Sequence, residues 1–126
     1  MKSANNMQKQ KMYISGAPTS APFLEILIAD SFCTRLAGLM FRKALPTATG
    51  LLLAPCNSVH MCFMRFSIDV VYLDKDYKII KVVKKLKPWI GFSMCRRAWA
   101  ALEFSAGATE QYGLEVGKKL IREKDL

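Results

Sequence analysis

Residues 59–69 bring together the side-chain types that most often carry chemistry in a small protein. They hold His60, the only histidine of the chain, with Cys62, Arg65 and Asp69 in otherwise apolar surroundings. Polar and titratable groups are costly to bury unless they are partnered, so their presence here indicates a candidate site. Two chemistries follow from these residue types: soft-metal binding and acid–base catalysis.

The metal-binding hypothesis depends on strand alternation. If residues 59–65 form a β-strand, its period of two places His60, Cys62 and Met64 on one face. Imidazole and sulfur ligands suit copper(I) or zinc, and Cys56 or Cys95 would complete the set. The alternative is a half-buried strand whose histidine is hydrogen-bonded and whose sulfurs pack. A single histidine with irregularly spaced cysteines favours that alternative, so no metal or other cofactor is predicted.

The acid–base hypothesis concerns two carboxylates in apolar runs. Asp69 precedes the run 70–73 and needs a partner if it is buried, for which Arg65 and His60 are the nearest candidates. A His60–Asp69 pair would orient the imidazole for general acid–base work, as in a hydrolase. A buried salt bridge or a cap on a backbone turn is the structural alternative. Glu103 poses the same question, and we expect a polar pocket if Asp69, Glu103 and His60 face one cavity.

A second distinct feature is the basic run over residues 75–97. Trp89 and Phe92 lie within it, and Asp76 is its only acid. Cations interleaved with aromatic rings are typical of surfaces that hold single-stranded nucleic acid or another anionic partner. Solvated edge-strand lysines that discourage aggregation are the alternative. The eight cations of the run are Lys75, Lys78, Lys81, Lys84, Lys85, Lys87, Arg96 and Arg97.

The elements that must position these residues are mostly strands. Apolar and β-branched runs predict strands over residues 23–29, 50–55, 59–64, 68–73, 78–86 and 98–104, with a hairpin connection over 74–77. A helix is predicted between Asp30 or Ser31 and Pro46, and a short one over 108–112. The chain should therefore adopt a β-dominated α+β fold, with a compact, mainly antiparallel sheet or partly closed barrel and one or two short helices.

Composition bounds the remaining questions. The chain has 126 residues, 52% of them hydrophobic and 23% charged, and a formal charge of +9. These values predict a flexible basic arm over residues 1–21, one globular domain over 22–122 and a charged tail over 123–126. No apolar stretch suits a signal peptide or a membrane span, and the four cysteines follow no CxxC or zinc-finger spacing. Their even number would allow two disulfides in an exported protein, but nothing in the sequence favours export. We therefore expect a cytoplasmic protein with reduced, mostly buried thiols.

Five ordered blocks of sequence resemble a known family. They are RLAGLMFR at 35–42, HMCFMRFSIDVVYLD at 60–74, PW at 88–89, ALEFSAG at 101–107 and the segment from Gly113 to the VG pair at 116–117. Together they resemble the bacterial and archaeal domain-of-unknown-function family 192 over residues 23–121. The resemblance implies a compact β-rich domain without an established activity. It also implies a common framework of His60, Met64, Asp69, Glu103 and Gly107.

The departures from the family are specific. Ser67 stands where the family usually has proline, and Lys118 stands where it often has an acid. The family also has no cysteine at the position of Cys62, which weakens a metal site built on that residue.

The sequence therefore predicts a small binding or accessory protein, with catalysis less favoured. The predicted ligand contacts are His60, Met64, Arg65, Asp69, Trp89 and Glu103, and His60, Asp69 and Glu103 are also the candidates for catalysis. The alternatives are a basic module that binds nucleic acid or an acidic partner through residues 78–97, and a hydrolase-like enzyme with a His–Asp pair. The partner and the oligomeric state do not follow from the sequence.

Overall fold

Strands make up most of the fold, as the apolar and β-branched runs predict. The computed structural model describes residues 8–17, 23–29, 48–62 and 64–126. Within them lie nine strands, one short α-helix and one 3₁₀ turn at Glu123–Asp125. The helix, α1, is Ala108–Gln111. The strands are β1 Gln8–Ile14, β2 Leu24–Ala29, β3 Thr49–Leu53, β4 Ser58–His60, β5 Ile68–Leu73, β6 Ile79–Leu86, β7 Phe92–Met94, β8 Ala100–Ser105 and β9 Leu120–Arg122.

Seven strands form one sheet in the order β6-β5-β8-β3-β2-β1-β9, and the sheet curls into a half-barrel. Every neighbouring pair in it is antiparallel except β2 and β3, which are parallel. Strands β4 and β7 form a separate antiparallel ribbon. The predicted β-dominated α+β class with a mainly antiparallel, partly closed sheet is confirmed.

The sheet buries side chains on both faces. Because successive side chains of a strand alternate, Val70 and Tyr72 of β5 belong to one core cluster and Val71 and Leu73 to another. The first cluster also contains Val59 of β4, so the β4–β7 ribbon covers that face, which we call the ribbon face. The second contains Ala108 of α1 and marks the helix face.

Strand β1 corrects the expectation of a flexible arm for residues 8–14, which lie in the described part of the segment 1–21. Gln8–Ile14 pairs with β2 on one side and with β9 on the other. Only Met12 of this strand is fully buried, while Lys9 and Lys11 are exposed. A strand held mainly by backbone hydrogen bonds gives little apolar signal in the sequence, which explains why its polar composition suggested an arm.

The strands predicted over 23–29, 50–55, 68–73, 78–86 and 98–104 are confirmed with small shifts at their ends, as is the helix near residue 108. The helix predicted between Asp30 and Pro46 lies outside the described residues. The strand predicted over 59–64 ends at His60, and the chain then turns so that the N–H of Met64 donates to the carbonyl of Met61 at 3.0 Å. Among the described residues, no helix is long and apolar enough to cross a bilayer.

Candidate functional site

Asp69 is a fully buried carboxylate on the helix face of β5. Its Oδ1 accepts a hydrogen bond from the N–H of Lys85 at 2.9 Å. Its Oδ2 accepts from the N–H groups of Gly107 and Thr109, both at 3.1 Å, and from the Thr109 hydroxyl at 2.7 Å. The carboxylate therefore joins the irregular end of β6 to the start of α1. Gly107 turns the chain there with a φ of 96°, a conformation that favours glycine.

Glu103 is a second fully buried carboxylate, but it lies on the ribbon face. It is opposite Val70 across the β5–β8 ladder, and Val70 belongs to the cluster that also holds Tyr72. The Tyr72 phenol is hydrogen-bonded to the Ser93 hydroxyl. Burial raises the pKa of Tyr72 above its usual value of 10.0. The Ser93 hydrogen bond opposes this rise, and the electrostatic effect of the nearby Cys56, Cys95 and Glu103 adds to it. The Tyr72 hydroxyl is therefore a neutral group of the core at physiological pH.

The residues of the 59–65 segment separate into exposed and buried sets. His60 and Cys62 are exposed, as is Arg65, whereas Met61 and Met64 are fully buried. The turn after β4 interrupts the alternation on which the His60–Cys62–Met64 trio depended, so the three side chains do not share a face. Arg65 is exposed, whereas Asp69 is fully buried. The Asp69 carboxylate accepts hydrogen bonds from backbone N–H groups and from Thr109, and not from Arg65 as expected.

The predicted pocket of His60, Asp69 and Glu103 is not assembled. Asp69 pairs with Phe104 and points to the helix face, whereas Glu103 pairs with Val70 and points to the ribbon face. His60 lies beyond the ribbon face, on the outer side of the β4–β7 ribbon. The sheet stands between Asp69 and both other groups, so the structure does not show the His60–Asp69 pair that the catalytic hypothesis requires.

An open cavity of about 590 Å³ lies elsewhere, beside the β5–β6 turn. None of the six predicted ligand contacts lines it. Its lining residues are Pro55, Cys56, Asn57, Asp74, Lys75, Asp76, Arg97, Ala98 and Trp99.

Of the seven exposed large apolar side chains among the described residues, four lie on β7 and the turn before it. Trp89 is 55% exposed, Ile90 81%, Phe92 60% and Met94 45%. We call these four residues the apolar tip. Phe92 and Met94 point outward from the ribbon, because the intervening Ser93 is buried. Phe92 also lies opposite the exposed His60, so the tip and this histidine share one outer surface.

The turn that presents the apolar tip is firmly held by the chain around it. The carbonyl of Met61 accepts the N–H of Trp89 at 2.8 Å, and the N–H of Met61 donates to the carbonyl of Gly91 at 2.9 Å. The Gly91 N–H also donates to the carbonyl of Lys87 at 3.0 Å. A Cβ at Gly91 would overlap that Lys87 carbonyl oxygen. Trp89 has a φ of 68°, in the left-handed region that is uncommon for a bulky residue.

Cations border the apolar tip, and no acid occurs in the sequence from residue 77 to residue 102. Lys81 reaches it directly, since its Nζ donates to the carbonyl of Met94 at 2.8 Å. Lys87 begins the turn and Arg96 follows β7, and both are exposed. We call Lys81, Lys87 and Arg96 the cationic rim. The basic run is not one surface, however, because Lys84 lies on the helix face, 3.4 Å from Glu110 of α1.

Sequence reasoning identified Trp89 and Phe92 but missed Ile90, Met94 and the Tyr72–Ser93 hydrogen bond. The segment 88–94 has four large apolar residues around a glycine. This pattern could have indicated a tight turn that carries apolar side chains. The Tyr72–Ser93 contact joins distant segments and leaves no local signal. Of the cysteines in the described residues, Cys62 is exposed, and Cys56 and Cys95 are half-buried free thiols.

Fold and surface together define a small half-barrel β protein, braced by a buried carboxylate and carrying an exposed apolar tip. Comparison with known protein families identifies the family of this chain. Residues 15–121 match the model of DUF192, described as "Uncharacterized ACR", and the chain belongs to this family. The resemblance inferred from the five sequence blocks is thus confirmed.

Relatives and solved structures agree with this assignment. The chain is 37% identical over 101 residues to a UPF0127 protein of Pyrococcus horikoshii, covering 76% of this chain and 85% of that protein. It is 35% identical over 102 residues to a UPF0127 protein of Pyrococcus furiosus, covering 77% and 85%. A Sinorhizobium meliloti protein described as a "putative transcription regulator" has a similar fold, with a TM-score of 0.80, 20% identity and coverage of 92% and 95%. A Novosphingobium aromaticivorans protein of unknown function has a TM-score of 0.76, 20% identity and coverage of 91% and 86%.

Proposed function

We propose that this protein acts by binding, and that it contacts an anionic partner through the apolar tip and the cationic rim. The observation that carries the proposal is the exposure of Trp89, Ile90, Phe92 and Met94 on one short ribbon within an acid-free stretch of the chain. Contiguous exposed apolar side chains of this kind are typical of interaction sites, while single exposed apolar residues need no explanation.

The backbone around the tip supports the same proposal. The left-handed conformation of Trp89 is of a kind that costs about 1–3 kcal/mol and persists only where the surrounding contacts enforce it. Here those contacts are the paired hydrogen bonds to Met61 and the close approach at Gly91. A turn that is held this firmly presents its side chains already ordered, which lowers the entropy lost on binding.

The charge distribution indicates the sign of the partner. Lys81, Lys87 and Arg96 border the tip, and the formal charge of the whole chain is +9. Cations around an apolar centre steer an anionic partner and discourage association with a second basic surface. This arrangement favours the basic-module alternative of the sequence analysis over a pocket formed by His60, Asp69 and Glu103.

Chromatography on a polyanion such as immobilised heparin tests the proposal against bulk charge. A rim variant, Lys81→Gln/Lys87→Gln/Arg96→Gln, is compared with a control, Lys75→Gln/Lys119→Gln/Lys124→Gln. Both lower the formal charge by three, and the control replaces exposed lysines away from the tip. We expect the rim variant to elute at clearly lower salt than the control, because the contacting cations set the salt dependence of binding. Equal elution of the two variants would refute the proposed surface.

A further inference from the structure

We infer that the anionic partner of the apolar tip is the surface of an anionic phospholipid bilayer. This inference rests on the proposed function and deepens it by naming the partner. It depends on the chemistry of the tip, in which an exposed aromatic residue and an exposed aliphatic residue, Trp89 and Ile90, are neighbours in one turn and the cationic rim borders the tip.

The two residues at the end of the turn are suited to a bilayer surface. Trp89 carries an apolar ring with a polar N–H, and tryptophan is enriched at the level of lipid headgroups. Ile90 is 81% exposed and is the most exposed large apolar side chain among the described residues. Exposure of an aliphatic side chain to water is unfavourable. The boundary between lipid headgroups and acyl chains would bury Ile90 and remove its apolar surface from water.

The rim supplies the matching electrostatics. Lysine and arginine can place their charge at the headgroups while their stems cover apolar surface. Each cation close to an anionic leaflet strengthens binding by about fivefold. With Lys81, Lys87 and Arg96 bordering the tip, anionic lipid should therefore be required for strong binding and should lose its effect at high salt.

The aliphatic residues favour a bilayer over single-stranded nucleic acid. Base stacking on Trp89 and Phe92 would use the two aromatic rings of the tip. It would leave Ile90 and Met94 exposed, since neither has an aromatic face on which a base can stack. A bilayer surface accounts for all four apolar side chains together with the three cations, and nucleic acid becomes an outcome that the experiment distinguishes.

Trp89 itself provides the readout. The chain has two tryptophans, so the Trp99→Phe protein reports from Trp89 alone. This protein is titrated with vesicles of phosphatidylcholine, with and without phosphatidylglycerol, and binding is measured by emission and by co-sedimentation. We expect a blue shift and sedimentation with the phosphatidylglycerol vesicles, both reversed by salt. No shift and no sedimentation with these vesicles would overturn the inference.

A matched pair of variants tests the role of the tip. Ile90→Ser should weaken vesicle binding by about 5- to 30-fold, because it removes a large apolar side chain from the contact. Val116→Ser is the control, since Val116 is 63% exposed but lies outside the tip, and it should bind as the unmodified protein does. Urea unfolding verifies that both variants are folded. Equal binding by the two variants would also overturn the inference.

Single-stranded DNA completes the experiment. Quenching of Trp89 by an oligonucleotide, without vesicle binding, would replace the bilayer by nucleic acid and leave the proposed anionic-binding surface intact. Polyanion retention that depends on the rim, without a response to vesicles or DNA, would reject both of these partners and favour an acidic protein. If retention does not depend on the rim, the proposed function fails as well, so the two failures are distinguishable.

Discussion

Replacement of Asp69 by asparagine tests whether this carboxylate braces the fold. In the structure Oδ1 accepts one hydrogen bond and Oδ2 accepts three, with no exposure of the side chain to water. An asparagine has one acceptor oxygen and a donor NH₂ group. Its best orientation keeps the oxygen towards Gly107 and Thr109, which places the NH₂ group against the N–H of Lys85.

The magnitude follows from those contacts. The new NH₂ group then faces the N–H of Lys85, so two donors meet where one charge-assisted hydrogen bond has been lost. The hydrogen bonds from Gly107 and Thr109 remain, but their acceptor is a neutral amide oxygen, which is weaker than the ionised carboxylate. We expect Asp69→Asn to lower the free energy of unfolding by about 2–4 kcal/mol, a loss typical of breaking a buried polar network. The exchange protection of the Lys85 amide should fall more than that of Thr109, which keeps its acceptor.

Urea unfolding and amide hydrogen exchange measure these effects, with Asp74→Asn as the matched control. Asp74 is half-buried, and its Oδ1 accepts from the N–H groups of Asp76 and Lys78 at 2.9 and 3.0 Å. An asparagine there retains both bonds, so a loss below about 1 kcal/mol is expected. A loss at Asp69 no larger than at Asp74 would refute the bracing role. Lost ligand binding at full stability would instead assign Asp69 to a site.

Three further substitutions test the packing around the turn and the core. Gly91→Ala should lower the free energy of unfolding by about 1–3 kcal/mol and shift the emission of Trp89, because the new Cβ overlaps the Lys87 carbonyl. Unchanged unfolding and emission would contradict the close approach of Gly91 to that carbonyl. Gly50→Ala should cost a similar amount in urea unfolding, since its Cβ would lie 2.7 Å from the buried Phe104 ring, and a neutral effect would show that the ring can move. Because the pKa of Tyr72 is raised above 10.0, the folded state keeps a proton that the unfolded chain loses, so stability should decline as the pH rises above about 10. Tyr72→Phe should be less stable at pH 7 but should decline less steeply in alkaline unfolding titrations, and an equal decline in both proteins would refute this.

Much of the sheet was predictable because its central strands carry strong local signals. Strand β5 is buried along its whole length, and β3 is likewise a continuous buried run bounded by turn residues. Strand β1 was not predictable in this way, since its place depends on backbone pairing with β2 and with the distant β9. Strand β4 ends at His60 because the chain turns after it and because Met61 is hydrogen-bonded to Trp89 and Gly91. These hydrogen bonds join distant segments, so they also leave no local signal in the sequence.

The candidate site failed to assemble because its geometry depends on strand register. The sequence places Asp69 and Glu103 in two different apolar strands, and the structure pairs those strands as neighbours, β5 and β8. Asp69 aligns with Phe104 and Glu103 with Val70, so the two carboxylates are one step out of phase and point to opposite faces. A shift of the register by one residue would have placed them side by side. The spacing within each strand can be read from the sequence, but the alignment between strands cannot, and that alignment decides whether two buried acids share a pocket or lie in two separate layers.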